Sequence, residues 1–122
     1  KPEFAAMHNN LAVILQELGK FNTAIEHLEK AIVIKPDFAE SHNNLGNVLK
    51  ELDQHDEAVK CYEKAIAIKP DFAEGYYMLG YVYHEKLLDM ENGNYHLRKA
   101  EKLYLKMEDF DRLKNIRSML VK

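Results

Sequence analysis

Apolar side chains recur at helical spacing through most of the chain. Leu11, Leu15 and Leu18 form one set, and Ala24, Ile25, Leu28, Ala31 and Ile32 a second. Leu45, Val48, Leu49 and Leu52, then Ala58, Val59, Tyr62, Ala65, Ile66 and Ile68, repeat the arrangement. Intervals of three and four put such residues on one face of an α-helix. Short polar stretches separate the sets. Gly19 supplies the first turn. Asp53-Gln54-His55-Asp56 supplies the next, with Asp56 placed to cap the following helix. Pro70 ends that helix and disfavours helical geometry at Lys69. The predicted unit is helix, short turn, helix, and a turn marked by proline.

This unit is periodic. Residues 1–34 recur at 35–68 with 17 of 34 positions identical, and KPDFAE at 35–40 returns at 69–74. A fixed period of this length marks a stacked repeat. Small residues recur in three columns, Ala12/Gly46/Gly80, Ala24/Ala58/Gly93 and Ala31/Ala65/Ala100, where they let paired helices approach closely. Large columns, Leu11/Leu45/Leu79 and Leu28/Tyr62/Leu97, fill the space around them. A helix pair of this kind cannot bury both faces alone and must stack on the next.

The third copy departs from the rule. Aligning Leu97 and Ala100 with Tyr62 and Ala65 needs one extra residue within 87–93, which predicts a longer inner turn. The closing proline is absent, and Tyr104-Leu105-Lys106 stands in its place, so the second helix is expected to run on. Glu108, Asp109 and Asp111 ahead of Lys114 and Arg117 suit the dipole of a last helix. Phe110, Leu113, Ile116 and Leu120 give it one apolar face over residues 109–121. The expected architecture is all-α: a right-handed α-solenoid of three helix-turn-helix units (about 5–38, 39–72 and 73–107) and a C-terminal capping helix, in one domain spanning 1–122. The opening Lys1-Pro2-Glu3-Phe4 matches the joint between later repeats, so the chain reads as a piece of a longer array.

Leu-Gly in the first helix, then alanine, aromatic or leucine, and alanine in the second, then proline, together resemble the tetratricopeptide repeat (TPR) over residues 1–104. Copies bearing HNNLG and KPDFAE are similar to regular bacterial and archaeal arrays, and to the repeat region of O-linked N-acetylglucosamine transferases. The resemblance implies that first helices line a concave face. The expected lining is Asn9, Asn10, Val13, Gln16 and Glu17 from the first unit, and Asn43, Asn44, Asn47, Lys50 and Glu51 from the second. The third contributes Tyr77, Met78, Tyr81, His84 and Glu85. An amide side chain both donates and accepts, so it matches a peptide group. An asparagine ladder of this kind is attributed to the related transferases. Asn10 and Asn44 share a column and read as recognition residues, though Met78 breaks the series. Asn9 and Asn43 read rather as partners of local backbone. Tyr77, Met78 and Tyr81 turn the third wall aromatic, either for a partner or to pack on the last helix.

Composition narrows the chemistry. Charged residues make up 30% and the net charge is only −3, which points to neither nucleic acid nor an anionic membrane. No apolar run is long enough to span a bilayer. The lone Cys61 excludes an internal disulfide framework and reads as an inert thiol. No compartment is named, the cytoplasm being favoured. His8, His42 and Tyr76 share a column that packs between helices in the family, and no HxxxH or Cys/His cluster closes a zinc shell. No metal, cofactor or catalytic residue is assigned. The chaperone-type carboxylate clamp is rejected, because Glu74 stands where that clamp needs a cation.

The function expected is a non-catalytic scaffold that binds an extended peptide or partner helix. The alternatives are a self-assembling module, associating through its uncapped N-terminal end, and the substrate-recruiting arm of a larger enzyme.

Overall fold

The computed structural model describes residues 1–120, of Pro2 the backbone only, and is helical throughout with no strand among them. The chain divides into two compact units, Lys1–Lys69 and Pro70–Lys122, with the boundary at the proline that opens the third repeat. The first holds α1 (Pro2–Glu17), α2 (Phe21–Ile34), α3 (Ala39–Glu51) and α4 (His55–Ile68). The second holds α5 (Ala73–Tyr81), which continues into a π-helical segment (Val82–Lys86), then α6 (Met90–Lys106) and α7 (Phe110–Leu120). The expected capping helix thus lies within the described residues except for position 121.

In the first unit Ala12, Ala24, Leu28 and Val48 form a buried cluster, with Leu15, Phe21, Ile25, Leu45 and Leu52 packed around it. Each large member removed from water contributes roughly 1.5–3 kcal/mol. In the second unit the core is Ala73, Leu97, Ala100, Tyr104, Leu113, Ile116 and Met119. Here one expectation is corrected. Phe110 starts α7 and stays 66% exposed, and Met119 takes the buried place instead. Helical geometry explains this: 113, 116 and 119–120 share one face, and 110 lies about 100° away from it.

The small columns work by contact. A Cβ on Gly46 would lie 2.7 Å from the Tyr62 ring, and one on Gly80 would lie 2.5 Å from Leu97. A Cβ on Gly93 would lie 3.2 Å from the backbone of His84.

Helix ends explain the inner turns. Gly19, Asp53 and Leu88 all have positive φ, and they occupy the same place after the first helix of each repeat. The N–H one residue later bonds back across the turn, Lys20 to the Leu15 carbonyl at 2.8 Å and Gln54 to Leu49 at 2.9 Å. This is the left-handed closure of a helix C-terminus. In the third repeat the equivalent bond, Asp89 to Tyr83 at 2.7 Å, spans one residue more. The predicted insertion therefore sits in a widened last turn of helix, where Leu87 donates to Val82, as a π-bulge absorbs an extra residue.

The expected cap at Asp56 is not made. The helix α4 begins a residue earlier, at His55, with Gln54 at the cap position and no side-chain bond. Asp89 and Asp109 are the side-chain caps, accepting from the N–H groups of Asn92 and Arg112 at 3.1 Å each. The two bonds from Asn92 hold the Asp89 carboxyl below the usual carboxylate range.

Candidate functional site

The asparagines of the first unit divide by burial. Asn9 is buried, and its Oδ1 accepts from Ser41 Oγ at 2.8 Å and from Asn44 Nδ2 at 3.0 Å. This three-residue network ties α1 to α3 and satisfies polar groups that burial would otherwise penalise. Asn43 is also buried. Asn47 is half-buried and accepts from the Tyr62 hydroxyl at 2.7 Å, which fixes the ring that fills the space over Gly46. Asn10 is exposed, and Val13, Asn44 and Lys50 are half-buried. Asn10 and Asn44 thus share a column but not an environment, since Asn44 spends one donor inside the fold. Lys50 lies 3.7 Å from Glu51.

In the second unit Tyr77, Met78 and Tyr81 are half-buried on α5. Tyr77 meets Tyr104 edge-on at 6.3 Å, and the Arg112 guanidinium sits 5.5 Å over its ring. Burial pushes the Tyr104 hydroxyl up to about 12, despite the opposing pull of Arg112. The packing of the tyrosines on the last helices is thus found here. Tyr77 and Tyr81 also wall an open cleft of about 270 Å³, completed by Glu85, Asn115, Ser118 and Met119. The contributions of Arg112, Asn115, Ser118 and Met119 escape sequence reasoning, because α7 lies outside the repeat and carries no column to align.

Three of the eleven residues expected to line a partner-binding face, Asn9, Asn43 and His84, are turned into the fold instead. His84 is 3% exposed, packs on Gly93 and contacts Glu85 at 3.0 Å. A π-turn rotates the residues it contains relative to a regular helix, and this draws His84 inward from the face it was assigned.

The His8/His42/Tyr76 column is structural in each copy. His42 Nε2 bonds the Pro36 carbonyl at 2.9 Å, and the Tyr76 hydroxyl bonds the Pro70 carbonyl at 3.0 Å, the same offset of six residues. Each ties a first helix to the proline turn before it. His8 stacks on His27 with ring centroids 5.2 Å apart. Among the described residues no group of three or more His, Cys, Asp or Glu is placed to hold a metal ion. None of the helices there is long and apolar enough to cross a membrane.

Paired helices with glycine–aromatic contacts, closed by proline-turn anchors, define a helical-repeat protein. A model of the family described as TPR repeat matches residues 14–53 and 46–86. The chain belongs to the tetratricopeptide repeat family. A comparison with curated protein sequences returns no match. Among solved structures, the Yersinia enterocolitica type III secretion translocator chaperone SycD, in an alternative dimer, is similar with a TM-score of 0.89 at 18% identity. That match covers 97% of this chain and 89% of SycD. SycD in complex with a peptide of the translocator YopD is similar at a TM-score of 0.86 and 18% identity, over 94% and 88% of the two chains. MamA is similar at 0.75 and 27% identity, over 87% of this chain and 57% of MamA. These matches show a shared fold.

Proposed function

We propose that the chain is a non-catalytic protein-interaction module that takes an extended peptide or a partner helix on its first helices. The observation that carries this reading is the half-open aromatic cleft of the second unit. Tyr77, Tyr81 and Met119 offer apolar walls there, and Glu85, Asn115 and Ser118 offer polar groups at the edges. Tyrosine supplies a large rigid contact and a hydroxyl for hydrogen bonding, the combination enriched in binding hot spots. SycD, which shares this fold, has been crystallised in complex with a peptide, which supports a peptide as the class of partner. In the first unit the exposed Asn10 and the half-buried Asn44 and Asn47 are the amide groups proposed to meet a peptide backbone.

The test is a selection of displayed random peptides on the immobilised chain, followed by calorimetric titration of a selected sequence. Tyr81→Ala is expected to weaken binding about tenfold, and Asn10→Ala to weaken it less, with the helical circular dichroism unchanged. Asn10 is the clean amide probe, because Asn44→Ala would also remove a bond to Asn9. Failure to enrich any peptide, or affinity indifferent to both substitutions, overturns the proposal.

A further inference from the structure

The cleft of the second unit carries a charge as well as aromatic walls. Tyr77, Tyr81 and Glu85 line it from α5 and its π-helical end, and Asn115, Ser118 and Met119 line it from α7. The first three follow one another at intervals of four. Ser118 and Met119 stand three and four residues after Asn115, so each set shares one side of its helix. The Glu85 carboxylate is the one formal charge among these six residues, and its side chain is 34% exposed. Its Oε2 contacts His84 Nδ1 at 3.0 Å. A carboxylate accepts on several lone pairs at once, so that contact leaves Glu85 able to take a further donor. Asn115 and Ser118 are exposed on α7 and bring two neutral acceptor oxygens.

The wall of the cleft already holds a cation on an aromatic face. The Arg112 guanidinium lies 5.5 Å over the Tyr77 ring, where the negative face of the ring attracts it. Arg112 does not turn this corner positive. Glu74 and Asp109 act on the same Tyr104 hydroxyl as Arg112 does, two carboxylates against one guanidinium. Tyr81 supplies a second ring, four residues before Glu85. At about 270 Å³ the cleft is smaller than the roughly 300–1,000 Å³ of small-molecule pockets and suits a single side chain.

We infer that this cleft holds a basic side chain of the bound peptide, lysine or arginine, with its cation over Tyr81 and its N–H groups donated to Glu85, Asn115 and Ser118. This rests on the peptide-binding reading above and adds the chemistry of one anchor residue. The charge disfavours two other occupants. A carboxylate would meet Glu85 as a like charge. An apolar side chain would cover the Glu85 carboxylate without giving it a donor, which costs free energy. The preferred sign is thus opposite to that of the carboxylate clamp, in keeping with Glu74 on the same helix.

The test selects displayed random peptides in parallel on the chain and on its Glu85→Gln variant, which removes the charge and keeps an acceptor for His84. Peptides enriched on the wild type should share a lysine or arginine. Replacing that residue by norleucine should weaken calorimetric binding about tenfold on the wild type and less than about twofold on Glu85→Gln. Asn115→Asp adds a carboxylate at almost unchanged size and should tighten binding of the same peptide severalfold. Enriched peptides with no shared basic residue overturn the inference. So does a norleucine loss that is equal on both proteins, or an Asn115→Asp variant that binds no tighter. In each of these cases, binding that still depends on Tyr81 leaves the broader peptide-binding reading in place, whereas a selection that enriches nothing removes both.

Discussion

The helices α1 and α3 are near copies in sequence, yet the same face is open on one and sealed on the other. Ile14 is 53% exposed, and its counterpart Val48 is fully buried. Met7 is 61% exposed, and its counterpart Ser41 is buried with its hydroxyl on Asn9. The difference teaches that burial in a repeat belongs to position in the stack and not to the repeat's own sequence. A unit supplies a pattern, and its predecessor decides whether that pattern becomes core. The one marked chemical change among these columns, methionine to serine, falls where the buried Asn9 of α1 offers an acceptor.

Placing a charge on each face breaks the comparison most sharply. Val48→Asp puts a carboxylate into the first unit's core with no cation to pair it, and should cost more than about 3 kcal/mol. Ile14→Asp, at the matching position, should stay within about 0.5 kcal/mol for the monomer. Urea denaturation at low protein concentration reads both. Comparable losses from the two substitutions would mean that Ile14 is covered within the single chain.

The next effect lies in the small column shared by the same two helices. Ala12 packs in a cluster with Leu28, whereas Gly46 meets the ring of Tyr62. Small and large residues have been exchanged as a pair. Gly46→Ala should cost about 1–3 kcal/mol by overpacking, reduced by up to about 1 kcal/mol from alanine's better helix propensity. Adding Tyr62→Leu rebuilds the pair of the first repeat. The double variant should then be more stable than the sum of the single losses by about 1 kcal/mol, although the Tyr62–Asn47 bond is gone. A thermodynamic cycle that closes with no coupling would show that the glycine is not there for the ring.

How far this was legible in the sequence depends on whether a residue belongs to a column. The helices, the tight glycine contacts, the extra residue of the third copy and the single-helix end could all be read, because each is a regularity or a break in one. The amide face could be read only by residue type. Burial then separated Asn9 and Asn43 from Asn10, since one rotation of about 100° along α1 divides a core position from an exposed one. The Asn9–Ser41–Asn44 network was hidden because its members lie 32 and 35 residues apart. The cleft against α7 was hidden for a different reason, as that helix repeats nothing. The cap at Asp56 failed to form because the turn closed through the left-handed Asp53, which started the next helix earlier.

The smallest effect concerns a column in which the second repeat again differs from its neighbours. His27 and His96 hold this place in the first and third copies, and each stacks on the ring of its own first helix. The second copy has Cys61. Burial, and then the nearby Glu57 carboxylate, push its thiol from 9.0 up to about 11. A thiol reacts as the thiolate, so alkylation by iodoacetamide at pH 9 should be much slower in the native chain than in urea. The sign of the linked stability follows from the raised value. Below pH 9 the thiol is protonated in both states and contributes no pH dependence. Between pH 9 and 11 the unfolded chain ionises while the folded one does not, so stability falls as pH rises through that window. Lysines and tyrosines titrate over the same range, which makes the difference between wild type and Cys61→Ser the quantity to measure. The melting temperature of the wild type should drop further than that of the serine variant between these two pH values. Parallel curves, with equal alkylation rates in the folded and unfolded chain, would place Cys61 in open solvent and undo the account of this column.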